Sequence, residues 1–171
     1  MNSVYASLGA TIFDVMSRLA AEKGAINLGQ GFPEGDGPRD ILEAAARATL
    51  DGPNQYPPMR GLPDLRRAVA AHYNEHHGLD LDWSGEVTIT SGATEAIAAA
   101  LLAFIEPGDE VVLFEPLYDA YLPIVRRAGG VPRIVRLQPP HWRFERETVA
   151  AAFSDKTRVV VINTPLNPSA S

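Results

Sequence analysis

Three segments of the sequence place small, hydroxylated, aromatic or amide side chains directly after short β-type runs. Val87–Thr90 leads into Ser91-Gly92-Ala93-Thr94-Glu95, Val111–Phe114 into Glu115-Pro116-Leu117-Tyr118-Asp119, and 159–162 into Asn163–Pro168. Ser91 and Gly92 read as a tight entry to a helix, which leaves the amides of Ala93, Thr94 and Glu95 without intrahelical partners. Those donors, the positive end of the helix dipole and the Ser91 and Thr94 hydroxyls suit a phosphate group, although the same residues also make an ordinary helix start. The segment is not a Gly-Lys-Ser/Thr loop and lacks the three glycines of a dinucleotide fingerprint, so the anion is expected to belong to something other than an NTP or NAD. Tyr118 presents a ring on which a flat ligand can stack, or is a plain half-buried tyrosine. Asn167, stiffened by Pro165 and Pro168, offers an amide donor to a phenolate-type oxygen, or serves its turn alone.

A different chemistry is written into His72-Tyr73-Asn74-Glu75-His76, which fits the H-x-x-E-H zinc pattern. On a helix His72 and His76 share a face, with Glu75 beside them as a base, and that defines a zinc-peptidase alternative. No partnering motif with a third ligand accompanies it, and polar residues in a last helical turn need no metal to explain them. Only two lysines are present, Lys23 and Lys156. Lys23 precedes a helix-ending glycine, and Lys156 stands in the turn before the last β-type run, at that strand's amino end.

These residues need a scaffold, and the pattern around them supplies one. From Glu86 onward strands and helices alternate: strand 87–90, helix 93–105, strand 110–114, helix 118–128, strand 131–137, helix 145–153 and strand 158–163. Continuous apolar strands such as Val-Val-Val-Ile belong to parallel sheets covered by helices, so the fold class expected is α/β with a doubly wound, mostly parallel sheet. In such a sheet ligands sit beyond the carboxyl ends of the strands, where the three segments lie. The first half reads as a helix around Ile12–Leu19 stopped by Gly24, a Gly/Pro-rich loop over 25–38, a helix from Pro38 to Gly52, an irregular stretch over 54–61, and a helix from Pro63 to Gly78. The sequence runs eight residues beyond the last strand with no helix to cover that end of the sheet, as in a cut protein.

The 171 residues are 46% hydrophobic and 21% charged, enough for one core, with a net charge of −6 and no basic cluster. Nothing in that balance suits nucleic acid or an anionic membrane surface. Cysteine is absent, which removes disulfides and thiolate chemistry and fits a reducing compartment. The first basic residue is Arg18, and the longest apolar run, Ala96–Ile105, is half a membrane span. A cytoplasmic location is the expectation.

Taken in order, Leu28–Pro33 (LGQGFP), Asn54–Tyr56 (NQY), Gly61–Arg66 (GLPDLR), TSGATEAI from Thr90, Glu115–Tyr121 (EPLYDAY) and NTPLNP resemble the class I/II aminotransferases. These are fold-type I enzymes dependent on pyridoxal 5′-phosphate (PLP), and the branch resembled contains kynurenine, glutamine and methionine aminotransferases. The resemblance runs from Ile12 onward. It implies that residues 1–52 form an N-terminal arm and small-domain segment, and 53–171 the first half of a PLP-binding large domain. It implies that Gly92, Ala93 and Thr94 surround the cofactor phosphate, Tyr118 stacks on the pyridine ring, and Asn167 hydrogen-bonds the ring hydroxyl. Tyr56 would reach the phosphate of the neighbouring subunit in a homodimer, Gly31 would line the substrate carboxylate site, and Phe13 would wall the side-chain pocket. No metal is implied. The family's Schiff-base lysine lies later in such chains, so no catalytic residue is assigned here and the piece alone is expected to be inactive. The reaction implied is transfer of an amino group from an amino acid to a 2-oxo acid. Carbon–sulfur β-elimination on the same framework and a non-catalytic phosphate-binding piece stay as alternatives. Ser169-Ala170 departs from the residue-then-glycine that usually follows Asn-Pro.

Overall fold

The structure, a computed structural model, describes residues 2–6, 8–31 and 35–170. Phe32 and Pro33 of the LGQGFP segment lie outside the described residues. Two compact units are formed, Ala10–Thr90 and Ser91–Ser171 with Met1–Gly9.

In the unit 10–90, helix α2 (Ile12–Lys23) starts at Thr11, whose hydroxyl accepts from the Asp14 amide, and ends at left-handed Gly24, whose N–H donates to the Ala20 and Ala21 carbonyls. Helix α3 (Arg39–Asp51) follows Pro38, which sits at the N-cap rather than inside the first turn. Helix α4 (Pro63–His77) has its proline at the start, where a missing N–H costs nothing, and a left-handed Gly78 at its end. A single turn, α5 (Trp83–Glu86), is capped by the Asp82 carboxylate on the Ser84 amide. Neither α5 nor the N-terminal turn α1 (Ser3–Ala6) is long enough to show a hydrophobic period, and the sequence reading contains neither.

The expected strand at 87–90 is absent as a strand. Its backbone is extended at Val87, but no other strand pairs with it among the described residues. Its groups are taken up by loop and side chain instead: the Ile89 amide donates to the Arg60 carbonyl at 3.0 Å, and the Val87 carbonyl accepts from Arg66 Nε at 2.8 Å. A β-branched run encodes extension, but a strand also needs a neighbour with a free edge.

In the other unit, helix α6 (Ala93–Phe104) precedes strand β1 (Glu110–Glu115), followed by helix α7 (Tyr121–Arg127), strand β2 (Val131–Arg136), helix α8 (Arg146–Ala151) and strand β3 (Thr157–Val160). The sheet has three strands in the order β2-β1-β3, both pairings parallel, so the α/β class with a parallel sheet is what the chain adopts. Central β1 is buried from Glu110 to Leu113. Leu101 from α6, Ile105 at its C-cap, and Tyr121 and Val125 from α7 form one cluster with Val111 and Leu113. Strand β3 breaks register, with Glu110 opposite Thr157 but Val111 opposite Val159; Arg158 is the extra residue of a bulge. Its burial alternates, and beyond it Ile162 is 74% exposed, so this strand is not the fully covered one that its apolar run suggests.

Candidate functional site

Helix α6 joins β1 through a short turn, in which Gly108 N–H donates to the Gly129 carbonyl and Asp109 N–H to the Glu106 carbonyl. The carboxy end of α6 therefore lies at the amino edge of β1. Twelve helical residues span about 18 Å, the length of a six-residue strand, so a helix packed against β1 returns its amino end to the carboxyl rim. There Gly92 holds φ +86° with no side-chain cap, and a Cβ built on it would meet nothing within 4 Å. Gly92, Ala93 and Thr94 are all exposed. The first amides of a helix have no intrahelical partners, so an exposed helix start that carries a threonine has the donor types that suit an oxyanion. One donor is already used: Ser91 N–H bonds the Glu95 carboxylate.

Tyr118 follows the carboxyl end of β1 by three residues. Its ring stands edge-on to Tyr121 at 5.7 Å and 71°, and it packs against the core while staying half exposed. A ring held in that way can present a face without a new ordering cost. Asn167 follows β3 on the same rim, because β1 and β3 run parallel. Buried Leu166 anchors its turn, and the Ala170 amide closes it onto the Leu166 carbonyl at 2.6 Å. Beside this turn lies a groove of about 370 Å³ lined by Phe114, Leu137, Trp142, Phe144, Ile162 and Leu166 among others. Gly92–Thr94, Tyr118 and Asn167 thus belong to one unit, with Tyr118 and Asn167 following the carboxyl ends of parallel strands β1 and β3. The donor set of backbone amides, a hydroxyl, an aromatic face and a carboxamide, with no cationic side chain in it, suits a phosphorylated planar ring such as PLP.

The remaining assigned residues belong to the unit 10–90. Phe13 is half buried on α2, Gly31 is exposed with open space around it, and Tyr56 is 98% exposed in an irregular stretch. A second pocket of about 450 Å³ lies between α2 and the residues after it, lined by Met16, Leu19, Ile26, Leu28 and Gly29 among others. Asn27 shapes it, donating to Ser17 Oγ and accepting from the Gly29 amide, each at 3.0 Å. Lys156 is at the amino edge of the sheet, where its carbonyl accepts from Glu110 N–H, on the rim opposite Tyr118 and Asn167. Lys23 ends α2.

Among the described residues no group of three or more His, Cys, Asp or Glu could hold a metal ion. The zinc-peptidase alternative at His72, Glu75 and His76 therefore has no third ligand in the structure.

Arg66 was missed by the sequence reading. It is 7% exposed, donates from Nε to the Val87 carbonyl and from Nη2 to the Trp83 and Ser84 carbonyls, all at 2.8 Å, and has the Trp83 ring 5.3 Å from its guanidinium carbon. An arginine four residues before buried Ala70 on the same helix face was the available signal. It fastens α4 to the segment that continues into Ser91.

The chain matches the Aminotransferase class I and II family over residues 23–171. It is 47% identical to the methionine aminotransferase of Escherichia coli over 164 residues, covering 96% of this chain and 42% of that protein. The crystal structure of that protein superposes with a TM-score of 0.93 at 46% identity, covering 99% of this chain and 44% of the other. A probable N-succinyldiaminopimelate aminotransferase of Mycobacterium tuberculosis is 49% identical over 93% of this chain and 41% of its own. A kynurenine–oxoglutarate transaminase of Dictyostelium discoideum is 34% identical over 95% and 41%. The chain thus spans about 42% of the length of the E. coli relative. It belongs to the class I and II aminotransferases.

Proposed function

We propose that the complete protein is a PLP-dependent aminotransferase that moves an amino group from an amino acid to a 2-oxo acid, and that this chain supplies the first half of its cofactor site. The positive-φ glycine turn at Gly92 that leads into α6, in the unit that also carries Tyr118 and Asn167, is the observation that supports this reading. Bound there, PLP supplies the electron sink for bond changes at the amino acid α-carbon. Gly92, Ala93 and Thr94 hold its phosphate through amides and one hydroxyl. Tyr118 packs on the ring and fixes its tilt, while Asn167 donates to the ring hydroxyl. Gly31 lines the place of the substrate carboxylate and Phe13 that of the substrate side chain. Tyr56, almost wholly exposed, reaches the phosphate of a second copy, which makes the complete protein a homodimer. Residues 1–52 act as arm and small-domain segment and 53–171 as the opening half of the large domain.

Large apolar side chains at the surface, Ile26, Leu28, Leu50, Tyr56, Met59 and Ile162 among them, support further protein surface packed against this chain. No helix among the described residues is long and apolar enough to cross a membrane, and a cytoplasmic setting suits a cysteine-free chain.

Equilibrium dialysis with PLP tests the site in the complete protein. Thr94→Val and Tyr118→Ala each lower PLP affinity, by about tenfold for the loss of one good contact; unchanged affinity in both variants would refute the assignment. The chain by itself transaminates nothing. Borohydride treatment with PLP yields no single labelled lysine, and a stoichiometric adduct on Lys23 or Lys156 would overturn that statement.

A further inference from the structure

The aminotransferase reading leaves the end of α4 unused. His72 and His76 are both exposed there, one helical turn apart on one face, with ring centroids 4.5 Å apart and planes at 65°. We propose that these two imidazoles form a two-point chelate for a borderline divalent transition metal, copper(II) or nickel(II), separate from the cofactor site and without a catalytic part.

The geometry carries the choice of metal. With metal–nitrogen bonds of about 2.0–2.1 Å, an imidazole centre lies about 3.2 Å from the ion, so two rings at right angles are about 4.5 Å apart and two at a tetrahedral angle about 5.2 Å. Rings with centres 4.5 Å apart are close enough to occupy neighbouring positions around one tetragonal or octahedral ion, the geometries that copper(II) and nickel(II) prefer. His77 is farther from His72, at 6.3 Å, and its ring lies against Tyr73 at 5.1 Å. With no third protein ligand among the described residues, water fills the other positions. The ion is therefore held for binding, not buried as in a structural zinc site. Joining two successive turns of α4 stabilises the folded helix by mass action, since the unfolded chain does not hold the pair in place.

Calorimetric titration of the purified, untagged chain with copper(II) and with nickel(II) tests this, alongside His72→Ala, His76→Ala, His77→Ala, His141→Ala and the His72→Ala/His76→Ala double variant. One equivalent binds to the parent chain. Either single change at 72 or 76 weakens binding by about a hundredfold, because the second arm of a chelate acts at high effective concentration. His77→Ala and His141→Ala bind as the parent does. Copper also raises the thermal midpoint only where both His72 and His76 are kept. The proposal is overturned if the double variant binds copper as tightly as the parent, or if His77→Ala weakens binding as much as His76→Ala. All four histidines are exposed, and circular dichroism confirms that each variant folds before it is titrated.

Discussion

Replacing Arg66 with methionine keeps the aliphatic stem and removes the guanidinium. Three hydrogen bonds of 2.8 Å from a cation to carbonyls disappear. Bonds of that kind contribute about 1.5–3 kcal/mol each, about 4.5–9 kcal/mol for the three. The sum overstates the loss, because no carboxylate among the described residues forms an ion pair with Arg66, the Asp82 charge acting on it only weakly, and its burial already carries a desolvation cost of several kcal/mol that the substitution relieves. Against this relief, the Val87 carbonyl is left beside a buried side chain with no donor, at about 1–3 kcal/mol. The net expectation is a destabilisation of about 3 kcal/mol. For a cooperative unit the size of residues 10–90, that lowers the melting midpoint by about 12–24 °C.

Trp83 provides the assay, since Arg66 and Arg67 stand 5.3 Å and 4.2 Å from its ring. In a Trp142→Phe background its fluorescence reports this corner alone, and urea titration gives the midpoint. Arg66→Lys restores a charge but not the fork that reaches three carbonyls, so it recovers less than half of the loss. Arg67→Ala, which breaks only an exposed pair with Asp64 and the second stack on Trp83, changes little. If Arg66→Met unfolds within about 0.5 kcal/mol of the parent, the range of ordinary surface substitutions, the clamp is not what holds residues 83–87 and the reasoning fails.

Three other outcomes follow from the same geometry. The Glu110 carboxyl is held below its usual range first by the Arg133 hydrogen bond and then by Ser154; its stabilisation is present above the ordinary glutamate pKa of about 4.3 and is lost as pH falls through the lowered value. Melting curves from pH 7 to 3 therefore drop more steeply for the parent than for Glu110→Gln, and parallel curves would refute the linkage. Gly61→Ala combines φ +95° with a Cβ 2.6 Å from Ile89 Cγ1, so backbone strain and overpacking together cost about 2–4 kcal/mol; a urea midpoint within error of the parent would count against the close approach. The Asp82 carboxyl is also lowered, mainly by the Ser84 side chain and then the Ser84 amide, and Asp82→Asn keeps the cap while flattening the acid limb of the Trp83 transition.

What the sequence made legible was local. Gly24 and Gly78 end their helices in the left-handed conformation, and Pro63 opens α4, because these residues act through their own backbone. The helix from Ala93 was legible for the same reason. Val87–Thr90 was not, since whether an extended run pairs depends on a neighbour that no local pattern names. The bulge at Arg158 is equally invisible, as register is fixed by partners forty-odd residues away in the chain. Arg66 shows the deepest limit: its three acceptors are backbone carbonyls 17 to 21 residues on, and a carbonyl has no sequence signature. For the candidate site, residue types were legible, while the shared rim of Tyr118 and Asn167 comes from the parallel pairing of β1 with β3.

The same contrast bears on the proposed aminotransferase. A phosphate cradle of the kind proposed, built from amides and one hydroxyl, needs only a glycine turn and the helix after it. Proton transfer has a stricter requirement. An amine must meet the reacting atoms within hydrogen-bond reach, and the lysine of this unit, Lys156, is bonded through its backbone to Glu110 at the amino edge of the sheet, a strand's length from the rim that carries Tyr118. Moving it to the rim would require reversing β3, which the parallel register with β1 forbids. On the proposed reading binding and reactivity are therefore separable: the first would rest on the local backbone of the Gly92 turn and α6, and the second needs an amine that Lys156, at the opposite edge of this sheet, does not bring to the rim.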